Sequence, residues 1–333
     1  MDAYHTIETP RAAPGAIAMI RLVHDDVASL GLIDPAMGAV RLGKLFDIDE
    51  GVIVRWDADS IVLMPHGGIA ILQALSKALT ELGVAHRDVV DPVAMYREAQ
   101  SEIEAWMLYA IAQASSPLAI DVLLEQPKRW NALGFERVDG TDQVRDAANA
   151  AVLDRLIEAP IVAAVGRANV GKSTLINALA GEHVAIVADI AGTTRDHVGV
   201  LVNLGGLVVR WIDTPGIDER IGDGEEIEIA MRVVSQASLI VHCIDSKDDQ
   251  GVLDERVESA IGTGVVRIRV GTRADLGEHA CELDSAVSIG GDGQLCGIEP
   301  LVERIREALV PMGVLSETRP WRFWDGLVTQ ATR

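Results

Sequence analysis

The chain has 333 residues, 49% of them hydrophobic, enough for two or three domains with packed cores, and no apolar run approaches the ~18–20 residues of a membrane span. Its 29 Lys and Arg against 50 Asp and Glu give a net charge of −21, which argues against broad, nonspecific contact with nucleic acid or anionic lipid. Cys243, Cys281 and Cys296 lack CxxC spacing and a paired His, and the start "MDAYHTIETPR" lacks the basic and apolar parts of a signal peptide, so a cytoplasmic protein without disulfides or zinc is expected.

In chain order, residues 1–90 mix the β-type runs "AIAMIRLV", "GVIVRW" and "SIVLM" with a helix over "GGIAILQALSKALTELG", which reads as a small α+β domain. Residues 91–158 change character. Apolar positions at helical spacing fill "YREAQSEIEAWMLYAIAQA", "LAIDVLLEQPKRWNAL" and "DQVRDAANAAVLDRLIEA", with breaks at Pro117 and Gly134. From 159 to 310 the β-runs "IVAAVG", "LVVRWID", "LIVHCID" and "VVRIRVGT" alternate with helical stretches, the pattern of an α/β fold whose mostly parallel sheet carries helices on both faces. Residues 311–333 form a tail whose Trp321–Trp324 cluster is expected to pack on the helical segment.

Gly166, Gly171, Lys172 and Ser173 match G-x-x-x-x-G-K-[ST] between an apolar strand and the helix "STLINALAG". Glycines let the backbone approach phosphates, and the amides and the helix N-terminus point at the anion. Lys172 neutralises the β- and γ-phosphates in such a loop, and the Ser173 hydroxyl is placed for Mg²⁺. "DTPG", Asp213 to Gly216, ends a β-run about 40 residues later, where a carboxylate can hold Mg²⁺ through water and the Gly216 N–H can meet the γ-phosphate. "IAGTTRD", Ile190 to Asp196, can close over the same phosphate and ion, although alone it is a polar loop. In "VGTRADL", the Asp275 carboxylate can accept two hydrogen bonds from the N1–H and amino group of guanine, a donor pair adenine lacks. "VSIGG", containing Ser288, ends a β-run before the helix "GIEPLVERIREAL".

"GRANVGKSTLINALAG", "VADIAGTTRD", "DTPGI", "TRAD" and "GIEPLVERIREAL" together resemble the Era/EngA/TrmE branch of P-loop GTPases. The opening "YHTIETPRAAPGAIAMIRL", the pair "IDEGVIV" and "MPHGG", and the domain order are similar to the tRNA-modification GTPase family TrmE, also called MnmE. The resemblance covers residues 157–310 and, more loosely, 4–85. It implies a GTP-hydrolysing switch in tRNA wobble-uridine modification, with a flavin-dependent partner, an N-terminal homodimer and transient pairing of G domains. It also implies K⁺ held by Asn169, Ile190 and Thr193, and Mg²⁺ held by Ser173, Thr194 and Asp213. The GTP-contacting set becomes Gly166, Asn169, Val170, Gly171, Lys172, Ser173, Thr174, Thr193, Thr194, Asp213, Gly216, Thr272, Arg273, Asp275 and Ser288. Lys172 and Thr194 are expected to act in catalysis, joined by Glu225 or Glu226 because Ile217, after "DTPG", cannot orient water.

Several departures stand beside that likeness. The family's Asn-Lys-x-Asp reads Thr272-Arg273-Ala274-Asp275, and Ala188 replaces a usual hydroxyl residue. A folate-binding Pro-Gly-Glu-Phe-Thr stretch and a terminal Cys-x-Gly-Lys motif are not found, so folate binding is not expected. The alternative function is a GTP-gated interaction protein without the modification chemistry.

Overall fold

The computed structural model describes residues 3–9, 16–87, 91–133, 147–182, 199–216, 225–245, 252–253, 255–279, 281–289 and 295–323. They form two compact units, Met1–Arg97 and Glu98–Arg333.

In the first unit, β1 (Tyr4–Ile7), β2 (Ile20–Val23), β3 (Val40–Leu45), β4 (Asp49–Arg55), β5 (Ser60–Met64) and β6 (Ala85–His86) make one sheet in the order β3-β4-β5-β2-β1-β6. All pairs are antiparallel except β1 with β6. Helix α1 (Ile69–Glu81) lays Leu75 and Leu79 on the sheet, a spacing of four that puts both on one face. It stops where Gly83 turns left-handed at φ 85°. A short α2 (Pro92–Met95) follows. The core gathers Ile20, Leu22, Leu45, Ile53, Ile61 and Leu63, all fully buried. Arg21, inside this apolar strand, is tolerated because its guanidinium pairs with the buried Glu8 carboxylate.

Among the described residues the second unit begins with four helices, α3 (Glu102–Gln113), α4 (Leu118–Leu124), α5 (Gln126–Leu133) and α6 (Ala147–Ile157). Helical spacing alone joins α4 and α5; the structure separates them at Glu125, where Pro127 offers no N–H to continue the ladder. The sheet of this unit has the order β12-β11-β10-β7-β9-β8. Its strands are β7 (Ile161–Val165), β8 (Gly199–Leu204), β9 (Leu207–Asp213), β10 (Leu239–Asp245), β11 (Val266–Thr272) and β12 (Ser285–Ala286). β7 and β10 are central, parallel and buried along almost their whole length, which is why they read as unbroken apolar runs. Around them run α7 (Lys172–Glu182), α8 (Glu225–Gln236), α9 (Glu255–Ala260), the small pair β13 (Ser288–Ile289) and β14 (Leu295–Cys296), α10 (Ile298–Leu309) and α11 (Met312–Leu315).

β8 escaped the sequence reading. It runs antiparallel to β9 through a two-residue turn at Gly205 and Gly206, both at positive φ, the geometry that matches strand twist in a hairpin. The hairpin tip meets the helices: Leu118 N donates to Gly206 O at 3.2 Å and Val208 N to Ser116 Oγ at 2.9 Å. One core is thus continuous from Trp106 and Trp130 of the helices to Val209 and Trp211 of the sheet and on to α10. The tail closes it. Trp130 Nε1 donates to Trp321 O at 3.0 Å, Trp321 N to Gln126 Oε1 at 2.7 Å, and Trp321 Nε1 to Asp154 Oδ1 at 3.1 Å. The opposite sheet face is covered by Ala230, Val233 and Val234 of α8 and Val257 of α9.

In the first unit His5 is fully buried, its Nε2 lies 2.8 Å from Ser76 Oγ, and its ring stands 4.9 Å from that of His86. Burial first, and the neighbouring His86 second, push its pKa down to about 4. The folded state therefore holds His5 neutral while the unfolded chain protonates it near the ordinary histidine pKa of 6.5, so this unit loses stability as pH falls from about 6.5 towards 4. An NMR titration of the His5 ring in the folded chain is expected to show a midpoint near 4; a midpoint near 6.5 would contradict the buried setting.

Candidate functional site

Strand β7 ends against β10, and there the chain turns into the loop Gly166–Gly171. Gly166 sits at φ 148°, and a Cβ there would run into the Cys243 carbonyl oxygen of β10. Asn169 at φ 60° and Gly171 at φ 101° complete the turn that brings α7 in with its N-terminus facing the loop. Val170 is buried and anchors the loop from below, while Asn169, Ser173 and Thr174 are exposed. Cys243, directly beneath, is inert: burial pushes its thiol up to about 12.

Lys172 is buried and folds back on the loop, its Nζ donating to Gly166 O at 3.1 Å and Arg167 O at 3.0 Å. Desolvation lowers its pKa, with the Asp213 carboxylate opposing. Ser173 Oγ donates to Asp213 Oδ2 at 2.7 Å, so the first turn of α7 and the end of β9 converge. The other carboxylate oxygen, Asp213 Oδ1, is buried with no hydrogen-bond partner among the described residues. Thr214 pins this segment through its hydroxyl to Ala164 O at 2.8 Å, and Gly216 lies so close to Ala168 that no Cβ would fit. The loop and "DTPG" are therefore packed backbone to backbone.

On the other flank, Thr272 turns its hydroxyl inward, donating to Val170 O at 2.6 Å with Ile244 O 3.1 Å away. Arg273, at φ 54°, donates to Asn169 O at 2.7 Å and to Asp245 Oδ2 at 3.0 Å. The exposed Asp275 accepts from Ile289 N at 3.2 Å, next to Ser288, so the two segments expected at the base lie together. Two residues in this network were missed from sequence. His279 Nε2 donates to both Ile244 O and Thr272 O at 3.1 Å, tying β10 to the base loop, and no motif announces it. Asp245 had a signal, a carboxylate at the end of a buried strand.

Ile190, Thr193 and Thr194 lie outside the described residues; Glu225 and Glu226 open α8, but their side chains are also outside them. Among the described residues no group of three His, Cys, Asp or Glu could hold a metal ion, and no helix is long and apolar enough to cross a membrane.

The family model described as "50S ribosome-binding GTPase" matches residues 161–268. The tRNA modification GTPase MnmE of Acidiphilium cryptum (strain JF-5) is 30% identical over 90% of this chain and 80% of its own length. The chain belongs to the MnmE family. The MnmE of Aromatoleum aromaticum (strain EbN1) is likewise 30% identical, over 74% of this chain and 64% of its own length. Among solved structures, the G domain of the T. maritima iron transporter FeoB matches 45% of this chain and 99% of that chain at 24% identity, with a TM-score of 0.32, too low to bear on the fold. This MnmE-family chain is a P-loop GTPase.

The two loop glycines separate backbone strain from clash. Both sit at positive φ, but only Gly166 faces a backbone oxygen, whereas a Cβ at 171 stays 3.6 Å from Thr272. Gly166→Ala is expected to destabilise the chain by about 1–3 kcal/mol and abolish nucleotide binding, with Gly171→Ala milder on both counts. Thermal unfolding and titration with a fluorescent GDP check this; equal effects would contradict it.

Proposed function

We propose that the chain is a Mg²⁺-dependent, K⁺-stimulated GTPase switch that acts in tRNA wobble-uridine modification with a flavin-dependent partner. The contact of Ser173 with Asp213 carries this reading. It sets two oxygen donors side by side and leaves a buried carboxylate oxygen with no partner among the described residues, a donor set that suits a hard divalent cation. Ser173, Asp213 and Thr194 are the residues to hold Mg²⁺, which supplies neutralising charge for the β- and γ-phosphates. Asn169, with Ile190 and Thr193, is the K⁺ set.

Lys172 exchanges its two loop carbonyls for phosphate oxygens when nucleotide binds, a trade of hydrogen bonds already made within the site. Glu225 or Glu226 positions the attacking water. Asp275 reads guanine, and Arg273 covers the base.

The tRNA role rests on relatives named tRNA modification GTPase MnmE. We assign residues 1–90 to homodimer formation, supported by the edge strand β3, where Val40 is 57% and Leu42 66% exposed. G domains pair transiently across the K⁺ site.

GTP turnover by the full chain is expected to be about tenfold or more faster in KCl than in NaCl at equal ionic strength, with the gain lost in Asn169→Ala. Tight GTP binding with no turnover in either salt would overturn the hydrolytic reading and leave a nucleotide-gated binding protein.

A further inference from the structure

The end of β10 is where the phosphate loop and the base loop meet. Asp245 closes the strand and stands opposite Thr272 in the parallel ladder. Its side chain is only 18% exposed, and it accepts from Arg273 Nη1 at 3.0 Å. The same guanidinium donates through Nη2 to the carbonyl of Asn169 at 2.7 Å. Both ends of that bond have unusual backbones: Arg273 lies at φ 54° and Asn169 at φ 60°. Residues with side chains enter this left-handed region at a cost, least for Asn and more for a bulky residue such as Arg. Each must be held there by its surroundings. A planar guanidinium can span both partners at once, whereas the ammonium of a lysine is a point charge.

We propose that Asp245 is a positioning residue of the nucleotide site: by fixing Arg273 it holds Asn169, and with it the phosphate loop, in the conformation that receives the nucleotide. The proposal rests on the reading of this site as a GTP site. Asp245 acts through Arg273 rather than on the nucleotide, and it makes the set of the phosphate loop depend on the base loop. Affinity scales with the fraction of molecules already in the competent conformation, so loosening this latch weakens binding without removing any contact to the ligand.

That mechanism has a signature at position 169. Glycine enters the left-handed region freely and needs no latch, whereas alanine needs it more than asparagine does. The experiment is a fluorescence titration of the full chain with N-methylanthraniloyl-GDP. It compares Asp245→Ala with its parent in the native, Asn169→Gly and Asn169→Ala backgrounds, with the thermal midpoint of the nucleotide-free protein measured alongside. Asp245→Ala is expected to weaken binding about fivefold in the native background, more in Asn169→Ala and less than about twofold in Asn169→Gly. The same loss in all three backgrounds, or none in the native one, would overturn the proposal and leave Asp245 a general stabiliser of the strand end. Should Asp245→Ala fail to fold, Asp245→Asn replaces it in the same three backgrounds, with the same order expected. A parent chain that binds no guanine nucleotide overturns the GTP reading and this proposal together; equal losses overturn the proposal alone.

Discussion

At residue 166 the chain passes the carbonyl of Cys243 so closely that no side chain can stand there. This contact is the constraint from which the site follows. β7 and β10 are neighbours in a parallel sheet, and the loop leaving β7 must fold over the end of β10 to launch α7. Because the crossing is tight, the loop's carbonyls come within reach of Lys172, Thr272 and Arg273. The same closeness lets Gly216 lie on Ala168, which brings Asp213 to Ser173. Three segments far apart in sequence thus share one polar network above an apolar core.

The rest of the second unit stiffens the strands that carry those segments. β9 ends in Asp213, and at its other end the Gly205–Gly206 turn is bonded to the start of α4 through Ser116 and Leu118. The same helices are closed by Trp321, which accepts from Trp130 of α5 and donates to Gln126 of α5 and Asp154 of α6. The hairpin and the helices share one core.

Much of this could be read in the residues. β7 and β10 were legible because strands buried on both faces need continuous apolar runs, and the phosphate loop because glycine, Lys and Ser are required by geometry at fixed spacing. β8 was not legible. Its outer-edge position leaves several residues half-exposed, so "GVLVNL" lacks the unbroken burial of its neighbours, and the Gly-Gly turn was the overlooked cue. The break between α4 and α5 was visible in Pro127 but lost under a continuous helical periodicity. At the base loop, spacing gave Asp275, whereas the inward turn of the Thr272 hydroxyl and the bridging by His279 depend on carbonyls from β10 and the phosphate loop. Local sequence cannot encode such non-local partners.

The central claim is that these loops form a site for guanine nucleotides. The most direct test is displacement of a fluorescent GDP from the full chain by GTP, ATP and XTP, repeated on Asp275→Asn with a fluorescent XDP as the label. The account predicts displacement of the label from the native chain by GTP alone at micromolar concentration, and a switch of preference to XTP in the variant, because the carboxamide offers XTP a donor and loses the acceptor pair for guanine. Displacement of the label by ATP as readily as by GTP would contradict it.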